Sequence, residues 1–174
     1  MTDRAVLIAY ATRTGSAREI AEVLGAGLAR KGVRVEVRRM EDVQGLSPYA
    51  AVVLGSAVRE EMWLPEAVEF VRQNQEELRK IPLFYYVVAM TLAEDTPEHA
   101  QEVLGYLRPV RALVEPVDIG LFAGALDKGK LSPVIRLMLT KKGFPDGDWR
   151  DWEAVRAWGE RVWERLRQEE VGGL

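Results

Sequence analysis

Three runs, Val6-Leu7-Ile8-Ala9, Ala50-Ala51-Val52-Val53-Leu54-Gly55 and Leu83-Phe84-Tyr85-Tyr86-Val87-Val88, carry no charged residue, and helical spacing follows each of them. Strands that are apolar at every position, not at alternate ones, are covered on both faces, the condition of a parallel sheet with helical crossovers. Between them, residues 16–28 have a helical stripe closed by Lys31-Gly32, and Val33, Val35 and Val37 alternate with Arg34, Glu36 and Arg38 as a partly exposed strand. Residues 64–78 read as a helix with Pro65 near its start, and 97–107 as another. A fifth strand is expected over 112–121, broken by Pro116, and a last helix over 152–166 with Trp152, Val155, Val162 and Leu166 on one stripe. The expected fold is α/β: a five-stranded parallel sheet between two helical layers, a three-layer sandwich formed by 1–174 as a single domain.

Ligands of such sheets bind beyond the carboxyl ends of the strands, so the loops after the first, third and fourth strands are the candidate site. The first holds Thr12, Arg13, Thr14, Gly15, Ser16 and Ala17 at the start of a helix, where unpaired N–H groups and hydroxyls attract an anion. It has neither the Lys-Ser/Thr pair of a P-loop nor a GxGxxG spacing. A phosphate monoester fits it, with Arg13 as the counter-cation, and so does an ordinary Thr/Ser helix cap. The second begins Gly55, Ser56, Ala57, Val58 and Arg59, small residues that let backbone approach a flat ring. Trp63, just beyond, either covers that ring or staples the entry of the next helix. The third is Val88, Ala89, Met90, Thr91 and Leu92.

Composition narrows the chemistry. The chain of 174 residues is 48% hydrophobic, enough for a sizeable core, and its net charge of −3 argues against a nucleic-acid surface. The absence of Cys excludes disulfides, thiolate metal sites and iron–sulfur clusters, so redox chemistry needs a bound cofactor. No metal site is expected, because Asp42, Asp146, Asp148 and Asp151 lack ligand spacing with the single His99, which reads as a surface residue. Asp148 or Asp151 suits a cap for the last helix, and Trp149, Trp158 and Trp163 suit its packing. No apolar leader or membrane-length stretch is evident, so a cytoplasmic location is expected.

The Thr12-Arg13-Thr14-Gly15-Ser16 turn resembles the phosphate loop of flavodoxins. Together with 55–59, Phe84-Tyr85-Tyr86-Val87-Val88, Phe122-Ala123-Gly124-Ala125-Leu126 and Asp151-Trp152-Glu153, it makes the chain similar to the menaquinone-dependent protoporphyrinogen IX dehydrogenases, a flavodoxin-fold FMN family. The resemblance implies strand order 2-1-3-4-5, FMN as cofactor, and a helical insertion after the fifth strand, here 127–148. It also implies a phosphate site at 12–17, flavin-edge contacts from Gly55, Ser56, Ala57 and Val58, and a second wall at 88–92, with catalysis borne by the flavin. The implied activity is oxidation of a porphyrinogen-like substrate with a quinone as acceptor, in haem biosynthesis. The alternatives are an electron-transfer flavodoxin serving redox partner proteins and a flavodoxin-fold interaction module without FMN. Many flavodoxins stack a Tyr from the third loop on the flavin, and this chain has none there.

Within the insertion, Lys128, Lys130, Arg136, Lys141 and Lys142 alternate with Leu131, Val134, Ile135, Leu137, Met138 and Leu139, and no acid lies in 128–142. Such a helix suits an anionic membrane surface, as a peripheral contact on the inner face of the cell membrane, or a greasy carboxylate substrate. It equally suits plain packing on the sheet with lysines outward. A homo-oligomer is compatible with all of these.

Overall fold

The computed structural model describes residues 4–126, 129, 131–143 and 146–172. The principal strands are β1 (Ala5–Ala11), β2 (Val35–Arg39), β3 (Tyr49–Arg59), β5 (Leu83–Val88) and β6 (Asp118–Phe122), all parallel, in the order β2-β1-β3-β5-β6. Numbered without the short β4 (Met62–Trp63), which folds back antiparallel on β3, this is the expected 2-1-3-4-5 arrangement. The chain leaves β1 toward β2 on one side and returns to β3 on the other, so a switch point opens between β1 and β3.

Alternation along each central strand divides the core in two. Leu7, Ala9, Val52, Leu54, Leu83, Tyr85 and Val87 pack with Ala67 and Val71 of α2 (Pro65–Gln73), Val103 of α4 (Pro97–Tyr106) and Val110 of α5 (Arg108–Leu113). Val6, Ile8, Ala51, Val53, Phe84 and Tyr86 pack with Ile20, Leu24 and Leu28 of α1 (Ser16–Arg30) and Val155, Trp158 and Val162 of α7 (Trp152–Gly172). Each large side chain buried this way contributes about 1.5–3 kcal/mol relative to exposure.

Three expected boundaries change. The stretch 55–59 is not loop but the end of β3, since Gly55, Ser56 and Ala57 pair with Tyr86, Val87 and Val88. The turn comes later, at Glu60 (φ 53°) and Glu61 (φ 61°), whose left-handed backbones suit a tight hairpin. The fifth strand starts at Asp118, because Ala112 and Leu113 complete α5, which Pro109 initiates, and a linker containing Pro116 follows. The helix expected over 64–78 divides at Asn74 (φ −114°), whose amide donates to the Phe70 carbonyl at 2.8 Å, into α2 and α3 (Gln75–Leu78).

Beyond β6, β7 (Ala125–Leu126) and β8 (Gly147–Asp148) pair as an antiparallel ribbon at the base of the insertion. The insertion carries α6 (Pro133–Lys141), started by Ser132, whose Oγ accepts from Ile135 N at 3.4 Å. Asp127, Lys128 and Lys130 lie outside the described residues. Among the described residues no helix is long and apolar enough to cross a membrane.

Candidate functional site

The turn between β1 and α1 has the features that suit an anion. Gly15 (φ 99°) has the left-handed backbone that bends the chain into the helix, and its N–H donates to Thr12 Oγ1 at 2.9 Å. The N–H groups of Ser16, Ala17 and Arg18 begin α1 and have no helical carbonyl to bind, so they and the helix dipole favour negative charge above them. Thr14 is exposed at the turn's crest.

Two expected phosphate ligands are engaged elsewhere. Arg13 forms a two-point ion pair with Glu66, in the first turn of α2, with Nη2 donating to Oε2 at 3.0 Å and Nη1 to Oε1. The Arg13 hydrogen bonds hold the Glu66 carboxyl below the usual carboxylate range, and Glu66 raises Arg13 in return. Ser16 is buried, and its Oγ accepts from Ala125 N at 3.1 Å. That hydroxyl ties the turn to β7, leaving the Ser16 backbone N–H for a ligand.

Beside the turn, at the carboxyl ends of β1, β3 and β5, lies a cleft of about 480 Å³. Arg13, Thr14 and Ser16 close one end. Ala57, Val58 and Val88 with Met90 form the sheet-side wall, and Leu131, Ile135, Met138 and Leu139 form the opposite one, from α6 and its approach. Among the described residues lining it are three cations, Arg13, Arg59 and Lys142, and no acid. A hollow of about 270 Å³ at the amino edge of the sheet, beside Val33, Ala51 and Trp163, lies where parallel sheets do not place ligands.

The remaining expected residues stand behind these walls. Ser56 is fully buried; its Oγ donates to Ala57 O at 2.7 Å and accepts from Leu64 N at 3.1 Å, holding the hairpin to the start of α2. Gly55 lies under the Tyr86 ring, and Ala17 and Ala89 are buried. Thr91 and Leu92 form a 3₁₀ turn with Met90, and Leu92 packs on the α2 side of the core. Trp63 does not cover the site: it is 1% exposed and meets Tyr85 edge-on at 4.9 Å, just before α2. His99 sits in the first turn of α4 with Nδ1 2.9 Å from the Glu94 carbonyl. Asp151 caps α7, accepting from Ala154 N at 3.1 Å.

The base of the insertion is braced. Arg150 donates from Nε and Nη2 to the two Asp148 oxygens at 2.9 and 2.7 Å, pairs with Glu19 of α1, and lies over Trp152 at 4.8 Å. Trp149 N donates to Gly124 O at 3.1 Å. Neither Glu66 nor Arg150 is legible as a site residue in the sequence, because Glu66 meets Arg13 and Arg150 meets Glu19 across long separations. The α6 wall was legible as the spacing 131, 135, 138, 139 and 142, which marks one side of a helix.

An anion-binding turn opening into an apolar cleft at a doubly wound switch point defines a mononucleotide-binding α/β protein. The residues fit FMN: helix N–H groups and Thr14 for the phosphate, and aliphatic walls for a flat ring system. A flavodoxin-domain profile matches residues 7–142, and the chain belongs to that FMN-protein family. It is 29% identical over 125 residues to the protoporphyrinogen IX dehydrogenase [quinone] of Escherichia coli K12, covering 69% of this chain and 68% of that one. Among solved structures it is similar to the flavodoxin of Streptococcus pneumoniae TIGR4, with TM-score 0.59 and 14% identity over 92% of this chain and 99% of that one. The FMN-bound flavodoxin of Fusobacterium nucleatum superposes with TM-score 0.58 and 12% identity over 93% and 98% of the two chains.

Proposed function

We propose that the 174 residues act as one FMN-binding domain and as an oxidoreductase of the protoporphyrinogen dehydrogenase type, serving haem biosynthesis with a quinone as acceptor. The observation that carries this is the α6 wall. An electron carrier presents its flavin to a protein partner, whereas here Ile135, Met138 and Leu139 line the cleft together with Val58, Val88 and Met90. That arrangement suits a flat, apolar substrate, and Arg59 and Lys142 at its border suit substrate carboxylates. Bound FMN supplies the redox chemistry. The protein would hold the phosphate with the first-turn N–H groups of α1 and Thr14, bring the backbone of Ala57 and Val58 to the ring, and exclude water with α6. The E. coli relative supports the substrate and acceptor classes.

Location follows the same helix. Val134 and Leu137, exposed to 69% and 57%, lie beside Arg136 and Lys141, a surface suited to the anionic inner face of the cell membrane, where quinones reside. No side chain among the described residues is assigned as a general acid or base.

Anaerobic mixing of the FMN-loaded protein with protoporphyrinogen IX tests the activity. Bleaching of the flavin band, and its return on adding a quinone, are expected. A flavin that responds to a chemical reductant but not to the porphyrinogen would sink the proposal. The second reading, an electron-transfer flavodoxin, is favoured by the exposed hairpin tip at Glu60 and Glu61, which gives a redox protein an acidic contact beside the cleft.

A further inference from the structure

We infer that Tyr86, beneath the site and outside its lining, is a positioning residue for the cofactor phosphate, its hydroxyl fixing the first turn of α1 above the sheet. The inference rests on the phosphate-turn reading proposed above.

Tyr86 is fully buried in the middle of β5, and its hydroxyl donates to the Ala17 carbonyl at 2.7 Å. Ala17 is the second residue of α1, within the turn whose N–H groups point at the phosphate. The bond therefore joins a central strand directly to the anion-binding turn. Its route crosses β3 at Gly55, where a Cβ would sit 1.7 Å from the Tyr86 Cζ, so only glycine leaves the ring its path. Burial pushes the Tyr86 phenol far above its ordinary value, which keeps it a neutral donor. A carbonyl oxygen has two acceptor sites, so Ala17 accepts this bond in addition to its place in the helix.

The neighbouring residue supplies the comparison. Tyr85 is equally buried, projects to the other face of β5, and donates to the Val114 carbonyl at 2.7 Å, at the end of α5. The two hydroxyls make matching bonds to helix-end carbonyls. Only the Tyr86 bond touches the phosphate turn.

The experiment measures Kd for FMN and for riboflavin, which lacks the phosphate, on the full chain as wild type, Tyr86→Phe and Tyr85→Phe. Removing a preorganising hydrogen bond is expected to weaken FMN about fivefold in Tyr86→Phe and leave riboflavin unchanged. Tyr85→Phe is expected to keep both affinities while losing similar stability to urea. If Tyr86→Phe does not fold, Tyr86→Met replaces it. The inference is overturned if Tyr86→Phe retains the wild-type FMN-to-riboflavin ratio, if riboflavin weakens in parallel, or if Tyr85→Phe shifts the ratio equally. A wild-type protein that binds both ligands alike overturns the phosphate-turn reading itself, and the first titration shows this before any variant is made.

Discussion

Arg13 and Glu66 meet in a two-point ion pair at the mouth of the cleft, Nη2 standing 3.0 Å from Oε2, so the phosphate turn is fastened to the first turn of α2. Glu66 thereby competes with any phosphate for the guanidinium. Glu66→Gln should tighten FMN binding about two- to fivefold at low salt and leave riboflavin binding unchanged. The scale is that of a half-exposed pair, at most about 1 kcal/mol, and the gain should shrink as salt rises. An unchanged FMN affinity, measured by fluorescence titration, would show that Arg13 takes no part.

The same pair sets a pH dependence. Arg13 lowers the Glu66 value from 4.5, so the unfolded chain binds this proton more readily than the folded one. Its contribution to stability is therefore complete above pH 4.5 and is lost as pH falls through the depressed folded value. The difference in Tm between wild type and Glu66→Gln should be constant from about pH 6 to 8 and narrow only in acid. A difference that narrows already near neutrality would contradict the assignment.

Gly55→Ala should be severe. The new Cβ would lie 1.7 Å from the Tyr86 ring, in a strand bonded on both sides. Overpacking of this kind costs roughly 3 kcal/mol or more, read as a lower urea midpoint. Tyr86→Leu in the same chain should recover part of the loss, because the obstructing ring is gone.

Arg150 is 14% exposed and stands between Glu19 and Asp148, joining α1 to the base of the insertion. Arg150→Met would leave two carboxylates facing each other without their cation. A loss of about 2 kcal/mol is expected, on the scale of hydrogen bonds to charged groups. Hydrogen exchange should quicken at Ala125 and Leu126, and an unchanged rate there would separate Arg150 from the bracing of the ribbon.

The outward side of α6 gives the membrane test. Val134→Glu with Leu137→Glu replaces two exposed apolar side chains beside Arg136 and Lys141 by acids. Cosedimentation with anionic phosphatidylglycerol vesicles should fall at least severalfold from the wild-type level, and FMN affinity should not change. Wild-type protein that stays in the supernatant would remove the membrane from the proposal.

The architecture was legible because it repeats a local signal. Continuous apolar strands at β1, β3 and β5 admit only a sheet covered on both faces, and the βα alternation then limits the topology. The tight turn between β1 and α1 was equally legible, since Thr12, Gly15 and the start of α1 are neighbours in sequence. Misplaced boundaries fell where local preference is weak. Residues 55–59 look like loop because Gly55, Ser56 and Ala57 are small, yet their hydrogen bonds to β1 and β5 make them strand.

The sequence by itself determined the fold class and the position of the turn between β1 and α1, because both depend on periodicity and on contacts between near neighbours. The strand order, by contrast, was implied by the family resemblance and is made by pairings between distant segments. Tertiary structure alone decided which side chains stay available to a ligand. Ser16 is bound to Ala125, Arg13 to Glu66 and Ser56 to the start of α2, and each partner comes from a distant or newly reversed segment. A hydroxyl or guanidinium has the same chemistry in any sequence, but its partner is set by which chains the packed core brings within about 3 Å. The apolar insertion shows the same division: its spacing announced a helix, and only the braced ribbon at its base laid that helix across the cleft.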